Sequence, residues 1–341
     1  MITREMLTEE IPAEELPYWG ELVRDGFVFI QHELKIFDVL LIPVGDEAWS
    51  NTWKKTTRSL RSLKEHIQLI NDLQLKKAYI TGDSVGFLSE CPSLKGLSVN
   101  PLNSQSDTFD FSPLYNHPEI KILACSTIDR GDVRNVRQLN TTVDYSKING
   151  LLCLVVDLEE KGHLNFNQID TLKELHVYHF KDKSRDLSNL FCSDQLEILV
   201  MLSSNIKTLN GIERTSVLEE MGLFNCRSLE DISALTSQKD TLKKLVIEGC
   251  SKIKDLSFLN KFTKLETLII SGKHSLKSLS FIEKMPNLKK IILNNIDVED
   301  GNMLPLANIH HFSIRPIKKY FKESYLKAKQ LRKEKYRDDK F

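Results

Sequence analysis

Apolar residues recur along most of the chain in one pattern, LxxLxLxx, in which polar residues separate three leucine-type positions. The pattern is clearest in four segments, LEILVMLSSNIKTLNGI from Leu196, LEEMGLFNCRSLEDISAL from Leu218, LKKLVIEGCSKIKDLSFL from Leu242 and LETLIISGKHSLKSLSFI from Leu265. Alternation of apolar and polar residues over the LxL core predicts one short strand in each segment. Repetition at a nearly fixed spacing predicts a stack of similar strand-containing units.

The first leucine-type position can be followed through eleven copies of the pattern. From Leu151 onward the spacings between these positions are 21, 24, 22, 24, 23, 23 and 21 residues. The first three spacings are 19, 26 and 31, which predicts degenerate repeats or insertions before Leu151. The eleven positions are Leu75, Leu94, Ile120, Leu151, Leu172, Leu196, Leu218, Leu242, Leu265, Leu288 and Ile309.

A second apolar series, two residues spaced φxxφ, keeps the same phase as the first. In six copies a serine follows the first apolar residue, as in DFSPL, DYSKI, DLSNL, DISAL, DLSFL and SLSFI. Two series that hold one register define the repeat independently of each other. The pairs are Phe111–Leu114, Tyr145–Ile148, Phe166–Ile169, Leu187–Leu190, Leu209–Ile212, Ile232–Leu235, Leu256–Leu259, Leu279–Ile282 and Met303–Leu306.

With these two series the chain resembles the leucine-rich repeat family over roughly residues 70–315, and looks most like its short bacterial, internalin-type and phosphatase-regulator-type repeats. The resemblance implies an α/β fold: a curved leucine-rich-repeat solenoid with a parallel β-sheet of about eleven strands on its concave face and short 3₁₀ or loop returns on its convex face. A repeat of this length cannot bury its own leucines, so neighbouring copies must stack. The family's asparagine position is occupied here by Cys226, Cys250, Lys273 and Ile296, which predicts at most a partial hydrogen-bonded ladder with structural cysteines.

The two ends of the chain lack the repeat. We therefore divide it into an N-terminal cap at 1–70, a repeat solenoid at 71–315 and a basic C-terminal helix at 316–341. In the cap, residues 27–31 and 35–43 are rich in β-forming residues and predict two strands. Residues 54–73 predict an amphipathic helix, because apolar side chains follow at helical spacing: Leu60, Leu63, Ile67, Ile70 and Leu73.

The segment after Pro316 predicts a helix whose role the sequence leaves open. It could cap the open end of the repeat stack, fold over the concave face, or form a free basic arm for nucleic acid or anionic lipid. Residues 318–341 hold ten basic and four acidic side chains, but a run of basic residues is usually a solvated face; the cap is favoured. Its predicted apolar stripe is Ile317, Phe321, Tyr325 (or Ser324), Ala328 and Leu331.

Composition and charge narrow the class of protein. With 41% apolar and 28% charged residues the chain is typical of a soluble globular protein. The 47 Lys and Arg balance 47 Asp and Glu, which excludes a chain-wide electrostatic binder of nucleic acid. No apolar run reaches the ~18 residues that span a bilayer. Residues 1–15 carry five glutamates and no apolar stretch of a signal peptide, so we expect a cytoplasmic protein.

One motif has the form of a catalytic site, since Gly82-Asp83-Ser84-Val85-Gly86 matches GxSxG. A hydrolase would need a helix after the serine, then an acid and a histidine, whereas FLSECPSL leads into the next repeat at Leu94; we interpret it as a turn. The six cysteines form no CxxC pair. No enzyme activity, cofactor or metal site is predicted, because the remaining histidines lack partners at metal spacing and are interpreted as surface or interface residues: His176, His179, His310 and His311.

The candidate binding surface lies on the strands. Leucines of the pattern point inward and alternate residues point outward. The central outward position is successively Tyr79, Ser98, Ala124, Val155, His176, Val200, Gly222, Val246, Ile269, Ile292 and Ser313. Apolar residues there and beside it predict a partner-binding surface on the concave face; β-propensity alone or cover by the C-terminal helix are the open alternatives. The surface residues are Val155, Tyr178, Ile198, Val200, Leu202, Phe224, Val246, Ile269 and Ile292.

These observations favour a non-catalytic protein–protein interaction module that binds an unidentified partner protein on the concave face. We expect a monomer without a small-molecule substrate. Residue usage rich in Lys, Ile and Asn is typical of a bacterial protein, and an immunity or regulatory protein would fit that setting. The alternative is binding of nucleic acid or of an anionic membrane through the basic C-terminal helix, although neither is the expected partner.

Overall fold

The structure is a computed structural model that describes residues 21–24, 27–32, 35–36, 39–42, 63–80, 85–99, 101, 107–129, 137–253 and 255–336. The chain divides into two compact units, Met1–Ile169 and Asp170–Phe341. The eleven predicted repeat strands are all present, four in the first unit and seven in the second.

The first unit combines an antiparallel N-terminal part with parallel repeat strands. β1 pairs antiparallel with β2, and β2 pairs antiparallel with both β3 and β4. Strands β4, β5, β6, β7 and β11 then form one parallel ladder. The elements are β1 (Glu21–Arg24), β2 (Phe27–His32), β3 (Lys35–Ile36), β4 (Val39–Ile42), α1 (Leu63–Leu73), β5 (Lys77–Ile80), β6 (Gly96–Val99), α2 (Ser112–Tyr115), β7 (Ile122–Cys125), β8 (Ile128–Asp129), β9 (Arg137–Gln138), β10 (Val143–Asp144), β11 (Cys153–Asp157) and β12 (His163–Leu164).

The N-terminal segment joins the repeat sheet directly through β4. The predicted strand at 27–31 is β2, whereas the single strand predicted at 35–43 is two strands, β3 and β4. Because β4 pairs in parallel with β5 from Val39↔Lys77 to Ile42↔Ile80, it extends the same ladder that the repeats form. The predicted helix is present as α1, and its expected start at residue 54 lies outside the described residues.

Additional structure fills the long repeat spacings of the first unit. β8 and β9 form an antiparallel pair, and β10 pairs in parallel with β12. Behind them Glu160 is buried; its carboxylate accepts hydrogen bonds from Ser126 Oγ at 3.0 Å and from the backbone N–H of Thr127 at 2.7 Å. His163 Nε2 lies 3.6 Å from Glu160 Oε2, and Tyr145 Oη lies 2.8 Å from His163 Nδ1. A buried carboxylate therefore satisfies the polar groups that follow β7.

The second unit is a regular parallel sheet. Its strands follow chain order and pair residue for residue, so that the predicted central positions from His176 to Ser313 form one row. Short 3₁₀ helices return the chain between strands, for example Ser233–Gln238 and Ser257–Lys261. The elements are β13 (Glu174–Tyr178), β14 (Ile198–Leu202), β15 (Glu220–Phe224), β16 (Lys244–Glu248), β17 (Thr267–Leu276), β18 (Lys290–Val298), β19 (His311–Arg315) and α3 (Lys322–Lys335).

The leucine-type positions form the core. All eleven first positions, from Leu75 to Ile309, are buried. Leu245 and Leu268 are paired on neighbouring strands and are both fully buried. The second series is buried as well except Phe166, which is partly exposed. The predicted register of the repeat is therefore confirmed in both units.

A carboxylate caps the turn that carries the second series. Asp231 Oδ1 and Asp255 Oδ1 each accept the backbone N–H of the serine two residues on, in both cases at 2.8 Å. This Asx-turn satisfies an N–H at the start of the 3₁₀ helix. The same bond is donated by the N–H of Ser112 to Asp110, of Ser146 to Asp144 and of Ser188 to Asp186. The hydroxyl of Ser278 replaces the carboxylate for Ser280, and the amide oxygen of Asn302 replaces it in the last copy.

Buried thiols occupy the inner position after two strands. Cys226 Sγ donates to Met201 O at 3.8 Å, and Cys250 Sγ donates to Leu223 O at 3.6 Å. Each acceptor belongs to the preceding repeat, so the thiols make a weak form of the ladder contact. A hydrogen bond with Cys226 and burial both raise the pKa of Cys250. The hydrogen bond with Cys250 lowers the pKa of Cys226, so the protonated, buried thiol that fits the predicted structural role is that of Cys250.

The assignment of Lys273 to this inward position is wrong, although the expectation of an incomplete ladder does not depend on it. Lys273 is exposed, whereas His274 is buried and paired with Ile296. The register shifts between Ser271 and His274, and Gly272 adopts a φ of 125° there. The bulge adds one residue to β17 and turns the following side chain inward. Burial lowers the pKa of His274, so its neutral form is favoured.

Helix α3 caps the end of the second unit. Phe321 and Ala328 are fully buried, and the Tyr325 ring packs edge-on against Phe312 of β19, with ring centroids 5.8 Å apart. Phe312 occupies the inward row, because it pairs with Ile291. Among the three roles left open by the sequence, these contacts are those of a cap over the last repeat.

Polar contacts fix α3 in that position. Arg332 Nε donates to His310 O at 2.6 Å, and Tyr336 Oη donates to Asn308 O at 2.7 Å. The prediction that Ile317 and Leu331 belong to the buried stripe is wrong, since 46% and 40% of them are exposed. Ile317 precedes the helix. At the C-terminal end of the stripe the contact with the last repeat is made by Arg332, which donates to His310 O, and not by Leu331.

Candidate functional site

The sheet face opposite the core presents three columns of side chains in the second unit. Successive residues of a strand alternate between its two faces, so each five-residue strand places its first, third and fifth side chains on this face. The third position forms the central column, in which Val200, Val246, Ile269 and Ile292 are partly exposed. Register pairs join Val246 to Ile269 and Ile269 to Ile292 on adjacent strands.

We call this group of partly exposed apolar residues the apolar face. The fifth strand position forms the neighbouring column, in which Tyr178, Leu202 and Phe224 pair on three consecutive strands. The structure thus brings together eight of the nine predicted surface residues within the second unit. The apolar face consists of Tyr178, Ile198, Val200, Leu202, Phe224, Val246, Ile269 and Ile292.

Gly222 shapes the middle of the apolar face. It is the central-column residue of β15, between Val200 and Val246. A Cβ atom at Gly222 would lie 2.8 Å from Cε2 of Phe224 and 3.4 Å from Cγ2 of Val200. The Phe224 ring therefore lies over the glycine and fills the space that a side chain would occupy. This close approach makes the apolar surface continuous across a residue that has no side chain.

Charged residues border the apolar face where the strands begin. The residues directly before the strands form ion pairs between neighbouring repeats: Lys173–Glu197 at 2.6 Å, Lys243–Glu219 at 2.6 Å and Lys289–Glu266 at 3.0 Å. Within the first column Lys244 lies 3.1 Å from Glu220. Such exposed pairs contribute little to stability, but they give the apolar face a polar rim, which is the usual anatomy of a protein interface.

His176, one of the histidines interpreted as surface or interface residues, is largely buried in the free protein. It lies in the central column, yet it is only 8% exposed, and its Nε2 lies 2.6 Å from Glu174 Oε1. The pair closes the apolar face at the β13 end with polar groups. Of the other histidines, His310 stacks against Tyr336 with centroids 4.0 Å apart, and His311 is exposed.

In the first unit the equivalent column is mostly small. Ser98, Ala124 and Val155 pair on successive strands and are partly exposed. Val155, the ninth predicted surface residue, is the only large apolar residue among these three. The side chain of Tyr79 and the residue Ser84 of the GxSxG motif lie outside the described residues. After the motif the chain forms a short 3₁₀ helix, Gly86–Glu90, which leads to the buried Leu94.

Other chemistry is sparse in the part of the chain that the structure describes. No group of three His, Cys, Asp or Glu side chains is placed there to hold a metal ion. No helix among these residues has the length and apolar character needed to cross a membrane. Burial raises the pKa of Cys91 to about 11 and also raises that of Cys125, so neither thiol has the lowered pKa of a reactive cysteine.

The repeat itself defines the class of protein. One short strand in each copy, short 3₁₀ returns in most copies, an open parallel sheet and a core of leucine-type side chains are the fold of a leucine-rich-repeat protein. No protein-family model matches the chain, and no curated protein sequence does.

Solved structures similar to the chain come from the same class. An internalin of Listeria monocytogenes is 18% identical, with a TM-score of 0.48 over 75% of this chain and 74% of the internalin. The functional domain of InlJ from Listeria monocytogenes, which includes a cysteine ladder, is 16% identical, with a TM-score of 0.41 over 74% and 66%. An LRR protein of Leptospira interrogans is 13% identical, with a TM-score of 0.38 over 72% and 74%.

Proposed function

We propose that the protein is a non-catalytic interaction module, and that a partner protein docks on the apolar face of the second unit. The observation that carries this proposal is the row of partly exposed β-branched side chains at Val200, Val246, Ile269 and Ile292. Helix α3 contacts β19 through Phe312 of the inward row, which supports an apolar face that is open in the free protein.

The energetics favour a compact, apolar contact. Complete burial of a Val or Ile side chain contributes about 1.5–3 kcal/mol. Because Val200, Val246, Ile269, Ile292 and the Phe224 ring are already partly buried in the free protein, a partner would gain a fraction of this from each residue, and their sum would have to exceed the cost of association. A bordering row of charged pairs would exclude partners whose rim charges do not match.

The experiment compares partner capture by the wild-type chain and by Val246→Glu. The substitution places an unpaired carboxylate in the desolvated centre of the contact, so we expect a loss of affinity of a hundredfold or more, corresponding to about 3 kcal/mol. Ser251→Glu adds the same charge at an exposed turn and serves as the control. Partners are captured from the native host, identified by mass spectrometry, and titrated against purified variants.

Denaturant melts of the same variants separate the outcomes. The free energy of unfolding of Val246→Glu should fall by no more than about 1 kcal/mol, as for a surface strand position. Collapse of the fold would mean that the face is internal. Unchanged folding together with unchanged affinity would mean that the partner binds elsewhere and that the apolar residues of the face reflect β-propensity alone.

The setting of this interaction is part of the same proposal. We infer a cytoplasmic, bacterial protein that acts as a monomer without cofactor, with an immunity or regulatory role. The residue usage and the reduced, buried thiols support it; all six cysteines are free, including exposed Cys192. Mass determination of the protein purified from its host, with and without alkylation, would test both the monomer and the free thiols.

A further inference from the structure

The outer surface of the C-terminal cap carries an unusual concentration of charge for a chain of zero net charge. Residues 317–336 hold eight basic and two acidic side chains. Three of the basic residues have structural partners: Lys318 with Asp297 at 2.9 Å, Arg332 with His310 O, and Lys335 with Asn308 Oδ1 at 2.8 Å. The remaining lysines are exposed.

The residues of α3 that anchor the cap and its exposed lysines lie on different faces of the helix. Residues spaced 4, 3 and 4 apart share one face of a helix. Phe321, Tyr325, Ala328 and Arg332 have this spacing and anchor the cap. One residue further, rotated about 100° around the axis, the same spacing gives what we call the lysine stripe: Lys322, Leu326, Lys329 and Lys333, all exposed.

Most of the charge in the lysine stripe does not stabilise its own helix; only Lys333, in the last turn of α3, lies where the helix dipole favours a cation. Lys329 and Lys333 are like charges at i,i+4, which repel. Lys322 lies in the first turn of α3, where the helix dipole disfavours a cation. The two acidic residues of the helix, Glu323 and Glu334, follow another line along it, and Glu334 accepts a hydrogen bond from Gln330 at 3.0 Å. The stripe is therefore arranged for a ligand outside the chain.

Its composition indicates which anionic ligand fits. Arginine is the side chain suited to bidentate phosphate contacts, yet the only arginine of α3 is held by His310 O. The stripe has no aromatic side chain for base stacking. It has instead Leu326, 52% exposed, between lysines. Clustered lysines are attracted to an anionic lipid surface, and an exposed leucine between them adds apolar area that can be buried at the headgroup boundary.

We propose that the lysine stripe of α3 docks the protein on an anionic lipid surface, with Lys322, Lys329 and Lys333 beside the headgroups and Leu326 inserted between them. The stripe extends about 16 Å along the helix, enough to contact several headgroups. The contacts of Tyr325 and Arg332 on the neighbouring face of α3 hold the helix in place. The lipid contact does not use the apolar face, so one protein molecule would be able to bind a lipid surface and its partner protein at the same time.

Vesicle co-sedimentation of the full chain tests the proposal. We expect binding to phosphatidylserine-containing vesicles, none to phosphatidylcholine vesicles, and weakening as salt is raised. The triple variant Lys322→Glu, Lys329→Glu, Lys333→Glu should bind about a hundredfold more weakly. The control triple Lys261→Glu, Lys264→Glu, Lys284→Glu makes the same change of charge at exposed sites elsewhere in the second unit and should bind like wild type.

The remaining arms decide between sources of negative charge. Leu326→Ser should weaken vesicle binding about tenfold and leave the thermal melt unchanged. No binding to the anionic vesicles, or equal losses in the two triple variants, would overturn the proposal. The proposal would also be overturned if the protein bound duplex DNA more tightly than the vesicles and Leu326→Ser changed neither binding. That result would assign the stripe to nucleic acid. If the triple Glu variant does not fold, the corresponding triple Gln variant replaces it.

Discussion

Both units cap the turn of the second apolar series at the same position of the repeat, whereas the first unit relies in addition on one buried carboxylate where its repeat is long. Asp231 and Asp255 make identical 2.8 Å bonds one repeat apart. In the 31-residue copy that starts at Ile120, the groups after β7 are satisfied by Glu160 of the following repeat. Where the repeats are regularly spaced, many residues each accept one backbone N–H. Where a repeat is longer, one residue, Glu160, accepts several hydrogen bonds.

The largest effect expected is loss of a leucine from the regular unit. Leu245→Ala should lower the free energy of unfolding by about 2–5 kcal/mol, because neighbouring repeats bury the side chain and cannot collapse into the cavity. Urea melts would measure it. Val246→Ala, on the same strand but on the opposite face, is the control and should cost less than about 1 kcal/mol. Equal costs for the two variants would contradict the assigned register.

A smaller but more localised effect is expected in the first unit. Glu160→Gln keeps the size of the side chain but turns one acceptor into a donor facing Ser126 and Thr127, which should cost about 1–3 kcal/mol. Hydrogen exchange should accelerate in residues 122–164 rather than in the second unit. Glu159→Gln, at the exposed neighbouring position, is the control. Faster exchange in the second unit instead would refute a local role for Glu160.

The smallest effect is a single turn cap, and it carries a pH signature. Hydrogen bonds from the Ser257 hydroxyl and N–H lower the pKa of Asp255. A folded-state pKa below the unfolded value of about 3.9 means that its contribution is present above that value and lost as pH falls through the folded pKa. Asp255→Ala should therefore cost about 1 kcal/mol near neutral pH and less in acid.

The next repeat offers a matched control for that cap. Ser278 makes the same bond to the N–H of Ser280 with a hydroxyl, which does not titrate in acid. Ser278→Ala should destabilise by a similar amount at all acidic and neutral pH values. Melts of both variants at pH 7 and at pH 3 make the comparison. A cost of Asp255→Ala that stays constant with pH would show that its charge is not part of the cap.

Much of the fold follows from the leucine-type positions alone. Because side chains alternate along a strand, fixing Leu245 as inward also fixes Val246 as outward, and the register pairs agree for every predicted central position that the structure describes. The apolar face could be predicted for the same reason. Its continuity could not, since only coordinates place the Phe224 ring over Gly222.

The misses have physical causes that repeat counting does not contain. The bulge at Gly272 adds one residue to β17, so that His274 replaces Lys273 in the core. The buried Glu160 accepts hydrogen bonds from Ser126 and Thr127 of the preceding repeat, and no pattern in its own segment of the sequence predicts these bonds. The capping role of Asp231 and Asp255 had a signal, an aspartate two residues before the serine in five of the six copies, which the apolar series alone does not use.

The cap also covers the open end of the last repeat. β19 is the terminal strand of its sheet and pairs with β18 alone, and the ring of its Phe312 packs against Tyr325. Without α3, the last repeat would offer an unpaired strand edge and an uncovered ring, a template on which another chain can add its own strand. A chain shortened to residue 315 would thus be a monomer unit for end-to-end polymerisation, and the few contacts of Phe321, Tyr325 and Ala328 are what terminate such growth.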